Sequence, residues 1–223
     1  MSKTARPDHL TIVFMGDSIT EGQYVHHSLR WAELVASRLK RSVAGNLNPE
    51  RLFFYTHGVS GETTRQGLER FPRDVQQFRP EVMTLQFGLN DCNCWDTDLG
   101  LPRVSEAAYR ANLIEMIDRA RRFGVAHLIL STNHATLRLR KLASGQTLEE
   151  RRGIYNSIVR DVARSAGVTL CDIDSAFAKH SKEQLAELLL PEPDVLHLSI
   201  AGHRLYADAI YPLLQTAVDM SLK

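Results

Sequence analysis

Five short apolar runs, each ending in a cluster of small and polar residues, set the rhythm of the chain. Residues 11–15 (TIVFM) are β-branched or bulky at every position, with no polar alternation. That is the pattern of a strand covered on both faces of a parallel sheet. The run stops at Gly16-Asp17-Ser18. Residues 51–56 (RLFFYT) read as a second strand, followed by a glycine-containing turn at 57–64. A third strand, 82–87, ends in Gly88-Leu89-Asn90-Asp91. The fourth, 125–130, ends in Ser131-Thr132-Asn133-His134, and a fifth, shorter one covers 168–171.

Helical spacing fills the intervals. Residues 27–40 carry Leu29, Trp31, Leu34, Val35 and Leu39, with Ser28 a candidate cap. Residues 45–49 break the pattern. Further helices are predicted over 64–78 (ending before Pro80), 105–123 (stopped by Gly124) and 148–165 (stopped by Gly167). Two more follow over 182–190, closed by Pro191 and Pro193, and over 201–218. Residues 92–103 are irregular. Strands alternating with helices predict an α/β fold, a parallel sheet with helices on both faces. No repeat, linker or low-complexity stretch divides it, so one domain over 1–223 is expected. Ligands bind such sheets outside the carboxyl ends of the strands. The turns at Gly16, at Gly58 and Gly61, and at Gly88 all follow strands, which puts them on one edge.

Charge narrows the partners. Lys and Arg total 27 against 26 Asp and Glu, a formal charge of +1, without the basic excess or stripe of a nucleic-acid binder. The pairs Arg121-Arg122 and Arg151-Arg152 are expected on solvated helix faces. The polar opening, residues 1–10, lacks the apolar run of a signal peptide, and no stretch is long enough to span a membrane. Cys92, Cys94 and Cys171 form an odd set with no disulfide framework. A cytoplasmic location is the expectation.

Ser18 is either a helix cap or a nucleophile. It lacks the Gly-x-Ser-x-Gly elbow, and the chain has no Gly-x-Gly-x-x-Gly at this turn and no Walker-type Gly-Lys-Ser/Thr. A serine hydroxyl needs an imidazole to take its proton, and the imidazole needs a carboxylate to set its tautomer. Asp194 and His197, three apart before the last helix, can meet that need; His203 is a rival, and all three also suit capping or surface roles. Gly61 and Asn90 are candidate oxyanion donors, by backbone N–H and side-chain amide. They equally fit a turn glycine and an Asx turn. Asp17 reads as support for the turn.

Taken together, Gly16-Asp17-Ser18, Gly61 within Ser60-Gly61-Glu62-Thr63, Gly88-Leu89-Asn90-Asp91 and Asp194-x-x-His197 resemble the four blocks of the SGNH (GDSL-like) hydrolases, in order. The resemblance covers about residues 11–216, and 56–80 is similar to the bacterial lysophospholipase/thioesterase-like branch. It implies a three-layer α/β/α, flavodoxin-like fold with a five-stranded parallel sheet, hydrolysing esters or thioesters without a cofactor. Ser18 would be the nucleophile and an oxyanion donor through its N–H, beside Gly61 N–H and the Asn90 amide. His197 would be the base and then the acid, and Asp194 its partner. The chain departs at Ile19, where the family often has Leu, and at Leu198, where Pro often follows the histidine.

The implied partner is a small acyl ester. The same residues would serve a sugar O-deacetylase or an acyltransferase; a non-catalytic carbohydrate- or lipid-binding protein would not need them all. Cys92 and Cys94 supply only half a structural zinc set, so no metal is expected and both are read as free thiols near the site. Residues 92–103 are the candidate substrate wall, with Trp95 and Leu99 as an apolar patch. Asn133 and His134 are expected to border the pocket, and Arg103, Arg138 and Arg140 are candidates to meet an anionic group.

Overall fold

The computed structural model describes residues 9–43 and 48–223. The readings placed on the polar opening through residue 8, and on the break at 45–47, lie outside the described residues. Five strands form one sheet: β1 (Leu10–Gly16), β2 (Leu52–Gly58), β3 (Val82–Gln86), β4 (His127–Ser131) and β5 (Thr169–Cys171). All pair in parallel, in the order β2-β1-β3-β4-β5. Every residue of β1 is buried, as its unbroken apolar run requires of a central strand.

The described helices are α1 (Ser18–Glu21), α2 (Trp31–Val43), α3 (Thr64–Asp74), α4 (Leu89–Cys92), α5 (Glu106–Arg122), α6 (Leu148–Ala166), α7 (Ile173–Phe177), α8 (Lys182–Leu188) and α9 (Ile200–Ser221). Helix α2 packs on α9, while α5 packs between α3 and α6. The layers are those of a flavodoxin-like α/β/α fold. Trp31, Val35 and Leu39 recur at helical spacing and are buried. Trp31 stacks on Tyr206 of α9 at 4.7 Å and meets Phe14 of β1 edge-on at 5.2 Å, so one indole ties helix layer to sheet.

Several boundaries moved. The helix expected over 27–40 is a 3₁₀ turn, His27–Leu29, an extended Arg30, and then α2. Ser28 does not cap it; the Trp31 N–H donates instead to Nδ1 of His203, 172 residues away. β2 runs on to Gly58, because pairing with β1 continues to Gly16. The helix over 64–78 finishes as a separate 3₁₀ turn, Gln76–Phe78. Arg151 and Arg152 are buried rather than solvated. Arg151 Nε donates to the Cys92 carbonyl, and Arg152 joins Glu149, Asp174 and the Asn133 carbonyl. Helices α1, α4 and α7 are too short for periodicity to reveal. Among the described residues no helix is long and apolar enough to cross a membrane.

Candidate active site

The chain leaves β1 for β2 on one side and returns to β3 on the other, so the crevice at the β1 and β3 ends is the switch point of the sheet. Ser18 follows β1, Gly61 follows β2, and Asn90 lies in α4 just after β3. Gly16 permits the sharp exit: a Cβ there would lie 2.1 Å from Thr20 Oγ1 and 2.5 Å from the Gln86 carbonyl. Asp17 then caps α1, its Oδ1 accepting the Ile19 N–H at 3.0 Å. That presents Ser18 as the first residue of the helix.

Asp194 and His197 reach the same place from the segment before α9. Ser18 Oγ lies 3.0 Å from His197 Nε2, and His197 Nδ1 lies 2.7 Å from Asp194 Oδ2. The other carboxylate oxygen, Oδ1, accepts the N–H groups of Leu196 and His197 at 2.9 and 2.6 Å. Burial pushes the Asp194 carboxyl upward, but these donors outweigh it and hold it below its ordinary value. An ionised Asp194 takes its hydrogen bond from Nδ1–H, which leaves Nε2 bare toward the Ser18 hydroxyl. Tyr24 packs edge-on to the His197 ring at 5.2 Å.

The turn is clamped. Val195 is in the left-handed region at φ 46, a strain of about 1–3 kcal/mol for a non-glycine. Three successive carbonyls are held by one segment: Asp194 O by Arg138 Nε, Val195 O by Leu137 N–H and Leu196 O by His134 Nε2, at 3.0, 2.9 and 2.8 Å. His134 is fully buried, and burial pushes it down to about 3, so the neutral ring donates from Nε2. His134 therefore braces the site instead of bordering the pocket. Asn133 is likewise buried, bonded to Gln86, the Phe87 carbonyl and Asn156. His203 is no rival base: it accepts from Trp31, and burial pushes it down to about 4.

Gly61 sits at φ 77 in a loop gripped from several sides. Glu21 Oε2 accepts the Ser60 N–H and hydroxyl at 2.9 and 2.5 Å, and Arg103 Nη1 donates to the Gly61 carbonyl at 2.9 Å. Arg70, almost wholly buried, donates to Glu62 and Asp74 and to the carbonyls of Gly16 and His57. One guanidinium thus ties the ends of β1 and β2 to the Gly61 loop. Asn90 Nδ2 donates to the Glu62 carbonyl at 3.0 Å, which aims the amide and leaves it a second hydrogen. The backbone N–H groups of Ser18 and Gly61 have no partner among the described residues. Ser18, Gly61, Asn90 and His197 line one cavity of about 300 Å³. Glu21, Arg70 and Tyr24 escaped the sequence reading; no local pattern marks them.

The sequence model of the GDSL-like lipase/acylhydrolase family matches residues 14–205. The chain belongs to this family. Among curated relatives, the uncharacterized lipoprotein YqeF of Bacillus subtilis (strain 168) is 27% identical over 89% of this chain and 87% of its own. The isoamyl acetate-hydrolyzing esterase 1 homolog of Rattus norvegicus is 26% identical over 93% and 82%. Among solved structures, the hydrolase LAE5 from the metagenome of Lake Arreo, Spain, superposes with a TM-score of 0.74 at 26% identity, covering 93% of this chain and 94% of its own. The protein is a carboxylic ester hydrolase of the GDSL type.

Beside the Ser18 cavity, this GDSL-type hydrolase has a larger one of about 540 Å³ between 93–96, part of the stretch expected to form the substrate wall, and 137–142. Trp95, Arg138, Arg140, Lys141, Asp96 and Glu192 line it. Cys94 reaches its wall, whereas Cys92 is fully buried and lines neither cavity. All three thiols are free. Leu99 lies 90% exposed at the loop tip and lines neither cavity, so the expected apolar patch reduces to Trp95. Arg103 meets the Gly61 carbonyl and the Trp95 ring.

Two buried carboxyls lie beneath the site. Asp17 is raised from 3.8 to about 7, chiefly by burial and further by the charge of Asp91, against the Ile19 and Gln86 donors. Asp91 is raised to about 6, also by burial, although Thr64 donates twice to its Oδ1. The folded protein holds a proton on Asp17 that the unfolded chain has released above about pH 4. Stability from this group is therefore full at low pH, falls as pH rises through 4 to about 7, and levels off above. Asp17→Asn keeps an acceptor for Ile19 without the charge. Its melting temperature is expected to decline less over this window than that of the parent. Parallel profiles for the two proteins count against a proton held on Asp17.

Proposed function

We propose that Ser18 is the nucleophile of acyl-ester hydrolysis, with His197 as base and acid and Asp194 as its orienting partner. The observation that carries this reading is the unbroken chain from Ser18 Oγ to His197 Nε2, at 3.0 Å, and from His197 Nδ1 to Asp194 Oδ2, at 2.7 Å. His197 Nε2 takes the hydroxyl proton as Ser18 Oγ bonds to the acyl carbon and the carbonyl electrons move onto its oxygen. The N–H groups of Ser18 and Gly61 and the Asn90 amide receive that oxyanion. Its collapse breaks the carbon–oxygen bond to the alcohol, which leaves with the proton from His197. A water, deprotonated by His197, repeats the sequence on the acyl-enzyme and frees the acid. The chain itself supplies every proton transfer and oxyanion contact, so the reading calls for no cofactor.

Covalent labelling with an organophosphonate tests it: the adduct is expected on Ser18 and absent from Ser18→Ala, and an adduct elsewhere sinks the assignment. Asn90→Ala removes one oxyanion donor and is expected to lower kcat by about 10²–10³ with little change in KM. A change confined to KM would place Asn90 in substrate binding alone.

A second reading, O-deacetylation of a sugar or transfer of its acyl group, is favoured by the charged side chains of Asp96, Arg138, Arg140, Lys141 and Glu192, which share the larger cavity with leucines and the half-exposed Trp95. Faster turnover of an O-acetylated sugar than of a simple alkyl acetate decides for it. The three buried free thiols support a cytoplasmic location for one enzyme unit spanning the chain.

A further inference from the structure

Arg103 stands outside the chemistry proposed for Ser18, yet it holds the oxyanion glycine from behind. Its Nη1 donates to the Gly61 carbonyl at 2.9 Å, and its guanidinium lies 4.4 Å from the centroid of the Trp95 ring. Its own N–H donates to the Asn93 carbonyl at 2.9 Å. That bond closes the neck of the 93–103 loop, so Arg103 and Trp95 belong to one closed unit. Asp91 and Asp98 face its charge. Trp95 itself is 54% exposed and lines the cavity of about 540 Å³.

Gly61 needs such a hold. It lies at φ +77, and nothing comes within 4 Å of the place where a Cβ would sit, so no packing on that side of the glycine steadies it. Its N–H belongs to the peptide before the α-carbon, its carbonyl to the peptide after. Only the glycine's own φ and ψ connect them, and glycine is the residue freest to turn about both. Glu21 reaches only as far as Ser60, through its N–H and hydroxyl, whereas Arg103 grips the peptide that follows Gly61 directly. A charged donor makes a strong hydrogen bond to a carbonyl, and stacking on Trp95 restricts where that donor can go.

We propose that Arg103 is a positioning residue that couples the Trp95 loop to the orientation of the Gly61 N–H, so that an ordered substrate wall keeps the oxyanion hole formed. This rests on the ester-hydrolase reading of Ser18 and Gly61. An oxyanion donor acts on the transition state far more than on bound substrate, so the loss of Arg103 appears in kcat.

The test is steady-state hydrolysis of p-nitrophenyl acetate by the parent, Arg103→Gln, Arg103→Lys, Trp95→Ala and the Arg103→Gln/Trp95→Ala double variant, with Ser18→Ala alongside. Arg103→Gln is expected to lose about tenfold in kcat with KM within about twofold, at an unchanged melting temperature. Arg103→Lys, which can still donate to the Gly61 carbonyl, recovers part of the loss. Trp95→Ala loses less than Arg103→Gln, and the double variant is no slower than Arg103→Gln, because Trp95 acts through Arg103. An unchanged kcat in Arg103→Gln, a loss confined to KM, or single losses that multiply in the double variant overturns the proposal. Should Arg103→Gln fail to fold, Arg103→Lys and Trp95→Ala carry the same test: parental kcat in both overturns it. Undiminished rates in Ser18→Ala overturn instead the reading of the site on which it rests.

Discussion

Ser18→Ala is expected to lower kcat on a p-nitrophenyl ester by a factor on the order of 10⁵, without unfolding the protein. Among the described residues the Ser18 hydroxyl has one partner, His197 Nε2 at 3.0 Å, and the turn that presents it is built by others. Gly16 gives the close exit from β1, Asp17 caps α1, and Arg70 holds the Gly16 carbonyl. Alanine keeps all of these and removes only the atom that would bond to the acyl carbon. The residual rate over water comes from the oxyanion donors and binding. Parent and variant compared by kcat, with a melting curve for each, decide the point. Matching rates would remove Ser18 from the chemistry.

Asp194→Asn is expected to cost on the order of 10⁴ in kcat, and the hydrogen bonds around Asp194 say why. Its Oδ1 is claimed by the N–H groups of Leu196 and His197, and only an oxygen can accept them. An asparagine must therefore keep its carbonyl there and turn its NH₂ toward His197 Nδ1. Nδ1 then accepts, the ring proton moves to Nε2, and the nitrogen facing Ser18 can no longer take the hydroxyl proton. The backbone bonds survive, so the clamped turn and the melting temperature are retained. Steady-state kinetics on Asp194→Asn checks this, and a loss below about tenfold would show that the tautomer of His197 does not limit the rate.

The two effects differ in how visible their origins were along the chain. Ser18 and the Asp194-x-x-His197 spacing are local: each sits in a few residues whose order can be read directly. The choice of His197 over His203 is not local. Both rings precede or open the last helix, and they part company only because His203 accepts the Trp31 N–H while His197 faces Ser18 at the start of α1. Burial then settles the electrostatics, pushing His203 down to about 4. The same holds for Arg151 and Arg152. As a basic pair on a helix they look like solvated residues, yet Arg152 meets Asp174 from another element and Arg151 meets the Cys92 carbonyl.

Apolar periodicity records which face of an element must leave water, and that term scales with area regardless of the partner. For this reason the unbroken run of β1, the alternation of strands and helices, the parallel sheet and the edge that gathers the Gly16, Gly61 and Gly88 turns were all determined by the sequence alone. The ends of the elements were less legible, because ladder pairing carried strand β2 to Gly58 and an extended Arg30 delayed helix α2 to Trp31. Polar partners obey a different rule: a hydrogen bond exists only within a few tenths of an ångström and a narrow angle. Whether Arg103 reaches Gly61, His134 reaches Leu196 or Arg70 reaches Gly16 depends on how distant segments finally pack. Those contacts, and with them the alignment of the oxyanion donors and the triad turn, were decided only by the tertiary structure.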